Sequence, residues 1–258
     1  MQEVQGTRPL LDARGLVRTF GGVKAVDGVS FEVRAGEVAG LIGPNGAGKS
    51  TVLDLVAGAL RPESGSIRFD GNEVTGLAPH QLARRGIIRT FQNARGFSNL
   101  TVMENLLTAA SRPRGDSLGG ALLGPRWWRS DQRRLVAEAR VLLDRFDMRR
   151  MEDTYAKSLS GGQRRLVDIM RALMAKPSLL LLDEPMAGVN LGLAERIGQH
   201  LLSLRADGIT ILMVEHVFEL LNSVCDRVIV LAQGRVIGTG GLTEVRASPA
   251  VQEAYVVG

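Results

Sequence analysis

The residues Gly43, Pro44, Asn45, Gly46, Ala47, Gly48, Lys49, Ser50 and Thr51 run in the order G-x-x-x-x-G-K-[ST], a spacing able to cradle a nucleotide phosphate. Glycines there let backbone N–H groups turn inward around phosphate oxygens, and the start of the helix that must follow adds partial positive charge where the anion sits. Lys49 can then reach the β- and γ-phosphates. Ser50 can put its hydroxyl on Mg²⁺, a cation that prefers oxygen ligands and keeps several waters. A second set of residues, Leu179 to Leu182 followed by Asp183, Glu184 and Pro185, ends an apolar run in a pair of carboxylates. Asp183 is the candidate metal partner through water. Glu184, one residue on, can face the γ-phosphate and polarise an attacking water. Each set alone has a bland reading, a glycine-rich turn or a buried strand closed by charge; together they describe phosphoryl chemistry on a nucleotide with Mg²⁺.

These residues need elements to hold them. Val38 to Ile42 reads as a short buried strand running into the glycine-rich turn, and Ser50 to Leu60 as the helix behind it, ending before Arg61-Pro62. Val29, Phe31 and Val33 alternate with Ser30, Glu32 and Arg34 as in a half-buried strand, and Ser66 to Phe69 before Asp70-Gly71 reads as one arm of a hairpin. Leu179 to Leu182 and Ile209 to Val214 read as fully buried parallel strands with a helix, Leu191 to Leu204, between them, which gives an α/β unit. Residues 131 to 146 show helical spacing, 115 to 125 is loop-like, and Trp127-Trp128 is read with that loop.

Composition removes other classes. A chain of 258 residues with 45% hydrophobic and 23% charged residues can bury a core and is not disordered as its main state. Its one cysteine, Cys225, permits no intrachain disulfide and suits a reducing cytoplasm. No run approaches the roughly 18 apolar residues of a membrane span, so any membrane role is expected through a partner. The net charge of +5 is local: residues 112 to 150 hold ten Arg against five acids, and the remaining chain balances. No basic patch with interleaved aromatics appears, and no nucleic acid partner is expected.

Leu159-Ser160-Gly161-Gly162-Gln163, lying between the two phosphate motifs, resembles the signature motif of ABC ATPases. Its physics repeats that of the first loop, because a hydroxyl and glycines precede a helix start, and Gln163 is read as more than helix capping. That resemblance implies further roles. Phe20 matches the aromatic that stacks on adenine. Gln92, in Thr90-Phe91-Gln92, resembles the Q-loop that senses Mg²⁺ and the transporter, and His216 resembles the switch histidine at the γ-phosphate. Ser160, Gly161, Gly162 and Gln163 would meet the nucleotide of a second subunit. Asn190 stands where many members carry Asp.

The resemblance covers about Leu10 to Gly258. It implies an α/β fold, with a RecA-like P-loop core, an N-terminal antiparallel β subdomain and an inserted helical subdomain: the nucleotide-binding domain of ABC ATPases. On this reading 8–258 is one cassette, with 8–92 and 169–258 as core and 93–168 as helical signature subdomain. Arg89 to Gln92, Leu100 to Leu107, Ala187 to Asn190 and Val214-Glu215-His216 resemble the larger ATP-binding subunit of branched-chain amino acid importers, although Met186 and the ending Val256-Val257-Gly258 depart from that pattern. The implied activity is ATP hydrolysis at the cytoplasmic face of the membrane. The implied partners are permease subunits, a second ATP-binding subunit joined through ATP as homo- or heterodimer and, indirectly, a solute-binding protein. A lipopolysaccharide-export ATPase, or an importer of another small solute such as urea or amides, stays open as the alternative.

Overall fold

Alternating burial sets the first sheet. In a computed structural model, which describes residues 8–90, 97–110 and 125–257, with side chains at 8–90, 97–110 and 130–255, β1 (Leu11–Phe20) pairs antiparallel with β2 (Val23–Val33). Leu11, Ala13 and Leu16 on one strand, and Val29, Phe31 and Val33 on the other, are buried. β4 (Ser64–Phe69) lies on the other side of β1 and carries β5 (Asn72–Glu73), giving the order β2-β1-β4-β5. The link between β4 and β5 is Asp70-Gly71, with φ of 47° and 71°; two left-handed residues make the turn whose twist matches a hairpin.

The second sheet is built from β3 (Val38–Ile42), β6 (Ile87–Arg89), β7 (Leu179–Asp183), β8 (Thr210–Val214), β9 (Arg227–Ala232) and β10 (Arg235–Gly240), in the order β10-β9-β3-β8-β7-β6. All neighbours are parallel except β10 and β9. Every residue of β3, β7 and β8 is buried, as uninterrupted apolar strands inside a parallel sheet require. These three are adjacent, so the loops leaving their C-terminal ends emerge side by side at Gly43, Glu184 and Glu215. That edge is where open α/β sheets bind ligands. One apolar cluster joins the antiparallel sheet (Leu16, Phe31), α1 (Lys49–Val56; Val52, Leu53) and the parallel strands (Leu41, Leu181, Leu212). Each such side chain contributes about 1.5–3 kcal/mol by leaving water.

Helix α1 stops at Val56 and not at Leu60 because Gly58 takes φ 70°, where a Cβ would lie 2.3 Å from the Leu77 carbonyl oxygen. A left-handed glycine just past the last turn is a common helix stop. The other helices are α2 (Pro79–Ala83), α3 (Val102–Ala109), α4 (Pro125–Arg145), α5 (Gly161–Met174), α6 (Leu191–Ala206), α7 (Phe218–Val224), α8 (Leu242–Arg246) and α9 (Pro249–Val257). Trp127-Trp128 lies within α4 and not on a loop. Residues 115–124 of the expected loop fall outside the described residues. Among the described residues no helix is long and apolar enough to cross a membrane.

Contacts divide the chain into two compact units. One holds both sheets, and the other draws on Thr90–Pro177 and Gly188–Leu193. The second unit differs from the expected 93–168 because α5, which packs on α3, is whole within it; a limit at 168 would cut that helix. In this unit Thr101 caps α3, accepting from the Glu104 N–H at 3.1 Å while Glu104 Oε2 accepts from the Thr101 N–H at 2.7 Å.

Candidate functional site

The first loop is shaped by glycines that nothing else could replace. Gly43 has φ 146° and a Cβ there would stand 2.0 Å from the Leu231 carbonyl oxygen; Gly48 has φ 99° and a Cβ would stand 2.2 Å from the Ala25 carbonyl oxygen. Gly46 is also left-handed, at φ 80°, but its missing side chain faces open space. Ala47 is buried, Pro44 half-buried and Asn45 exposed. Lys49 opens α1, and its buried ammonium donates to the carbonyl oxygens of Gly43 and Pro44, each at 2.8 Å. Burial holds the ammonium below the ordinary lysine value, while the nearby Glu184 and Asp183 carboxylates work against that shift. Ser50 is exposed and Thr51 half-buried beside it. The loop thus offers an anion a bent backbone, a helix start and a fixed cation.

Asp183 closes β7 and is 2% exposed. Its Oδ2 accepts from Arg89 Nη2 at 3.1 Å, and its Oδ1 is buried without a hydrogen-bond partner among the described residues. Glu184 turns left-handed, φ 47°, with its N–H donated to the Val214 carbonyl oxygen at 2.9 Å. A non-glycine residue held there stores strain of about 1–3 kcal/mol, a state typical of functional turns. Its Oε1 lies 3.9 Å from Nδ1 of His216, which is itself 58% exposed. The structure therefore brings Lys49, Asp183, Glu184 and His216 together at one edge of the sheet.

A cation with mostly oxygen tastes fits this set. Among the described residues no group of three or more His, Cys, Asp or Glu could hold a metal ion alone. The side chains offer instead the exposed Ser50 hydroxyl and the orphaned Asp183 Oδ1, leaving most of a coordination shell to phosphate and water, as Mg²⁺ with a nucleotide requires.

Other expected residues divide. Phe20 is 44% exposed at the end of β1, with the Arg18 guanidinium 5.0 Å above one face of its ring. Gln92 lies outside the described residues. Ser160 caps α5: its Oγ accepts from the Gln163 N–H at 3.2 Å, and Gln163 Oε1 accepts from the Ser160 N–H at 2.9 Å. This reciprocal cap gives Gln163 a local reason to be Gln, which corrects the expectation that capping would leave it unexplained. The two glycines differ. A Cβ on Gly162 would meet Leu193 at 1.9 Å, whereas one on Gly161 meets nothing within 4 Å. Asn190 Oδ1 accepts from the Leu193 N–H at 2.9 Å and so caps α6. Met186 is buried and its methyl packs towards Gly198, whose missing side chain makes the room.

Sequence reasoning gave no role to two charged residues that the fold places here. Arg89 reaches Asp183, as above. Glu215, at the end of β8, is fully buried 3.9 Å from the His216 Nδ1, and burial pushes its carboxyl above the ordinary glutamate value. Such a shift means the folded state prefers the protonated form, so its contribution is whole below about pH 4.5 and is lost as pH rises towards the raised value. Glu215→Gln removes that loss. The variant should gain stability relative to the parent as pH rises from 5 to 8, by about 1.4 kcal/mol for each pKa unit of upward shift, in urea unfolding curves. A constant difference across that range would remove Glu215 from the pH dependence. Cys225, packed where a Gly40 side chain would be, has its thiol pushed up to about 12 by burial.

Comparisons with known proteins bear on the family. Residues 26–187 match the family model described as ABC transporter. A high-affinity branched-chain amino acid transport ATP-binding protein, BraF of Pseudomonas aeruginosa, is 37% identical over 251 residues, 97% of this chain and 98% of that protein. A probable branched-chain amino acid transport ATP-binding protein, LivG of Methanocaldococcus jannaschii, is 37% identical over 257 residues, 98% of this chain and 99% of that protein. Among solved structures, a nucleotide-free ATP-binding cassette from an ABC transporter superposes with a TM-score of 0.85 at 37% identity, over 96% of this chain and 99% of that one. An ADP-bound conformation of such a cassette gives 0.84 at 36% identity, over 97% and 99%. Matched by such cassettes along nearly its whole length, the chain belongs to the ABC transporter family and is one of its nucleotide-binding ATPases.

Proposed function

We propose that this chain powers the import of branched-chain amino acids through separate membrane permease subunits, working at the cytoplasmic face of the membrane as one of two ATP-binding subunits. The observation that carries the mechanism is the side-by-side emergence of Gly43, Glu184 and Glu215-His216 from three adjacent parallel strands. It makes one site of groups far apart in sequence. Lys49 and backbone N–H groups of the bent loop hold the β- and γ-phosphates; Phe20 offers its open ring face to adenine. Ser50 and Asp183, with Gln92, are the residues that would hold Mg²⁺, which when bound neutralises phosphate charge. Glu184 orients the attacking water and takes its proton, and His216 sits where it can donate to the γ-phosphate. Ser160, Gly161, Gly162 and the α5 start serve the nucleotide of the partner subunit, a role supported by the open space at Gly161. The unit drawn from Thr90–Pro177 is then the helical subdomain that meets the permease.

The solute assignment rests on similarity along nearly the full length to proteins named for branched-chain amino acid transport. Its test is reconstitution. The chain should co-purify with two permease subunits and a second, shorter cassette, and its ATPase rate in proteoliposomes should rise when a cognate binding protein carrying leucine, isoleucine or valine is added. Stimulation by lipopolysaccharide-export components, by urea or amides, or by no amino acid in a broad panel would overturn the solute and leave the ATPase.

A further inference from the structure

We propose that Arg89 is a positioning residue for the metal side of the site. Its guanidinium, forked between Asp54 on α1 and Asp183 at the end of β7, fixes Asp183 so that Oδ1 stays free to accept from metal-bound water. The inference rests on the reading that Asp183 serves Mg²⁺.

Arg89 is the last residue of β6, the edge strand, in parallel register with Leu181 of β7. Its side chain is 18% exposed, and it pairs through Nη1 with Asp54 Oδ1 and through Nη2 with Asp183 Oδ2. Burying a carboxylate as deeply as Asp183 is costly without a cation beside it, and Arg89 supplies one. The fork does more than neutralise. Oδ2 is engaged at 3.1 Å, and the remaining oxygen is a buried acceptor with no donor among the described residues.

The other tine explains why this cation is Arg. Asp54 follows Ser50 by four residues on α1, so the two share a helix face. Holding Asp54 therefore holds the face that presents Ser50. One planar group thus sets the spacing between the two side chains assigned to the metal, Ser50 and Asp183. A lysine carries a point charge with no fork and cannot offer both carboxylates a fixed pair of N–H donors.

The test is binding of a fluorescent ATP analogue to the full-length chain, titrated once in excess Mg²⁺ and once in EDTA. Arg89→Lys should weaken the Mg²⁺ complex about tenfold, the scale of a lost charge-assisted hydrogen bond, and change the metal-free complex less than about twofold. The Mg²⁺ concentration giving half-maximal turnover should rise by a similar factor. Asp54→Asn, which leaves Arg89 paired with Asp183, should move both readouts the same way and keeps the proposal testable if the Lys variant folds poorly. Equal weakening with and without metal would reduce Arg89 to a fold element and overturn the proposal, as would parent-like values in both titrations. An effect of Arg89→Lys without one of Asp54→Asn would remove the tie to α1. Asp183→Asn is the reference: if it leaves the Mg²⁺ dependence intact, the reading of Asp183 fails, independently of Arg89.

Discussion

Glu184→Gln should cut ATP turnover by about a hundredfold or more while MgATP binding persists. The amide keeps the shape of the side chain, and the main-chain bond from the Glu184 N–H to the Val214 carbonyl oxygen is untouched, so the left-handed turn survives. What is lost is the capacity to take a proton from water. Because bound ATP would then persist, the variant should appear as an ATP-dependent dimer by light scattering, and dissociate when nucleotide is removed. Turnover at the parent rate would remove Glu184 from the chemistry. Loss of binding together with turnover would mean that the substitution had damaged the loop instead.

A second large effect separates the two helix starts. Lys49→Ala removes the ammonium that spans the Gly43 and Pro44 carbonyl oxygens, and should weaken MgATP binding by the isolated subunit. Ser160→Arg should leave that binding nearly unchanged and abolish dimerisation and turnover. It also deletes a reciprocal cap, so a stability loss of about 1 kcal/mol is expected in the monomer and serves as an internal check on folding. Mixing the two inactive proteins under conditions of dimer exchange gives the sharper result. A heterodimer concentrates both lesions in one site and leaves the other intact, so part of the ATPase activity should return. No recovery at all would count against sites built from two chains.

How much of this was legible in the sequence follows from the range of the forces involved. The glycine-bent loop, the strand before it and the carboxylates after Leu182 were readable because each is a local pattern: apolar runs that can only be buried, glycines where backbone must bend, charge where a strand must end. The hairpin at Asp70-Gly71 was readable for the same reason. Arg89 was not, because its partners lie 35 and 94 residues away and nothing near it in sequence distinguishes it from a solvated arginine. Glu215 hid behind His216, since only the sheet shows that one is fully buried and the other exposed. Gln163 has a local use that the sequence reading did not credit. Its position between two phosphate motifs suggested chemistry, while its side chain does the ordinary work of closing a helix end. The end of α1 turned on Gly58, where the distant Leu77 carbonyl oxygen leaves no room for a Cβ.

The seat of Cys225 has a practical consequence for anyone following these motions by spectroscopy. With its thiol pushed up from 9.0 to about 12, the fraction present as thiolate near neutral pH is about a thousandfold below that of an ordinary cysteine. Alkylating and maleimide reagents act on the thiolate, so Cys225 should react far more slowly than an exposed cysteine. A single cysteine placed on an exposed position can therefore carry a spin label or fluorophore in the native background, without mutating Cys225 and disturbing the Gly40 contact beneath the nucleotide loop.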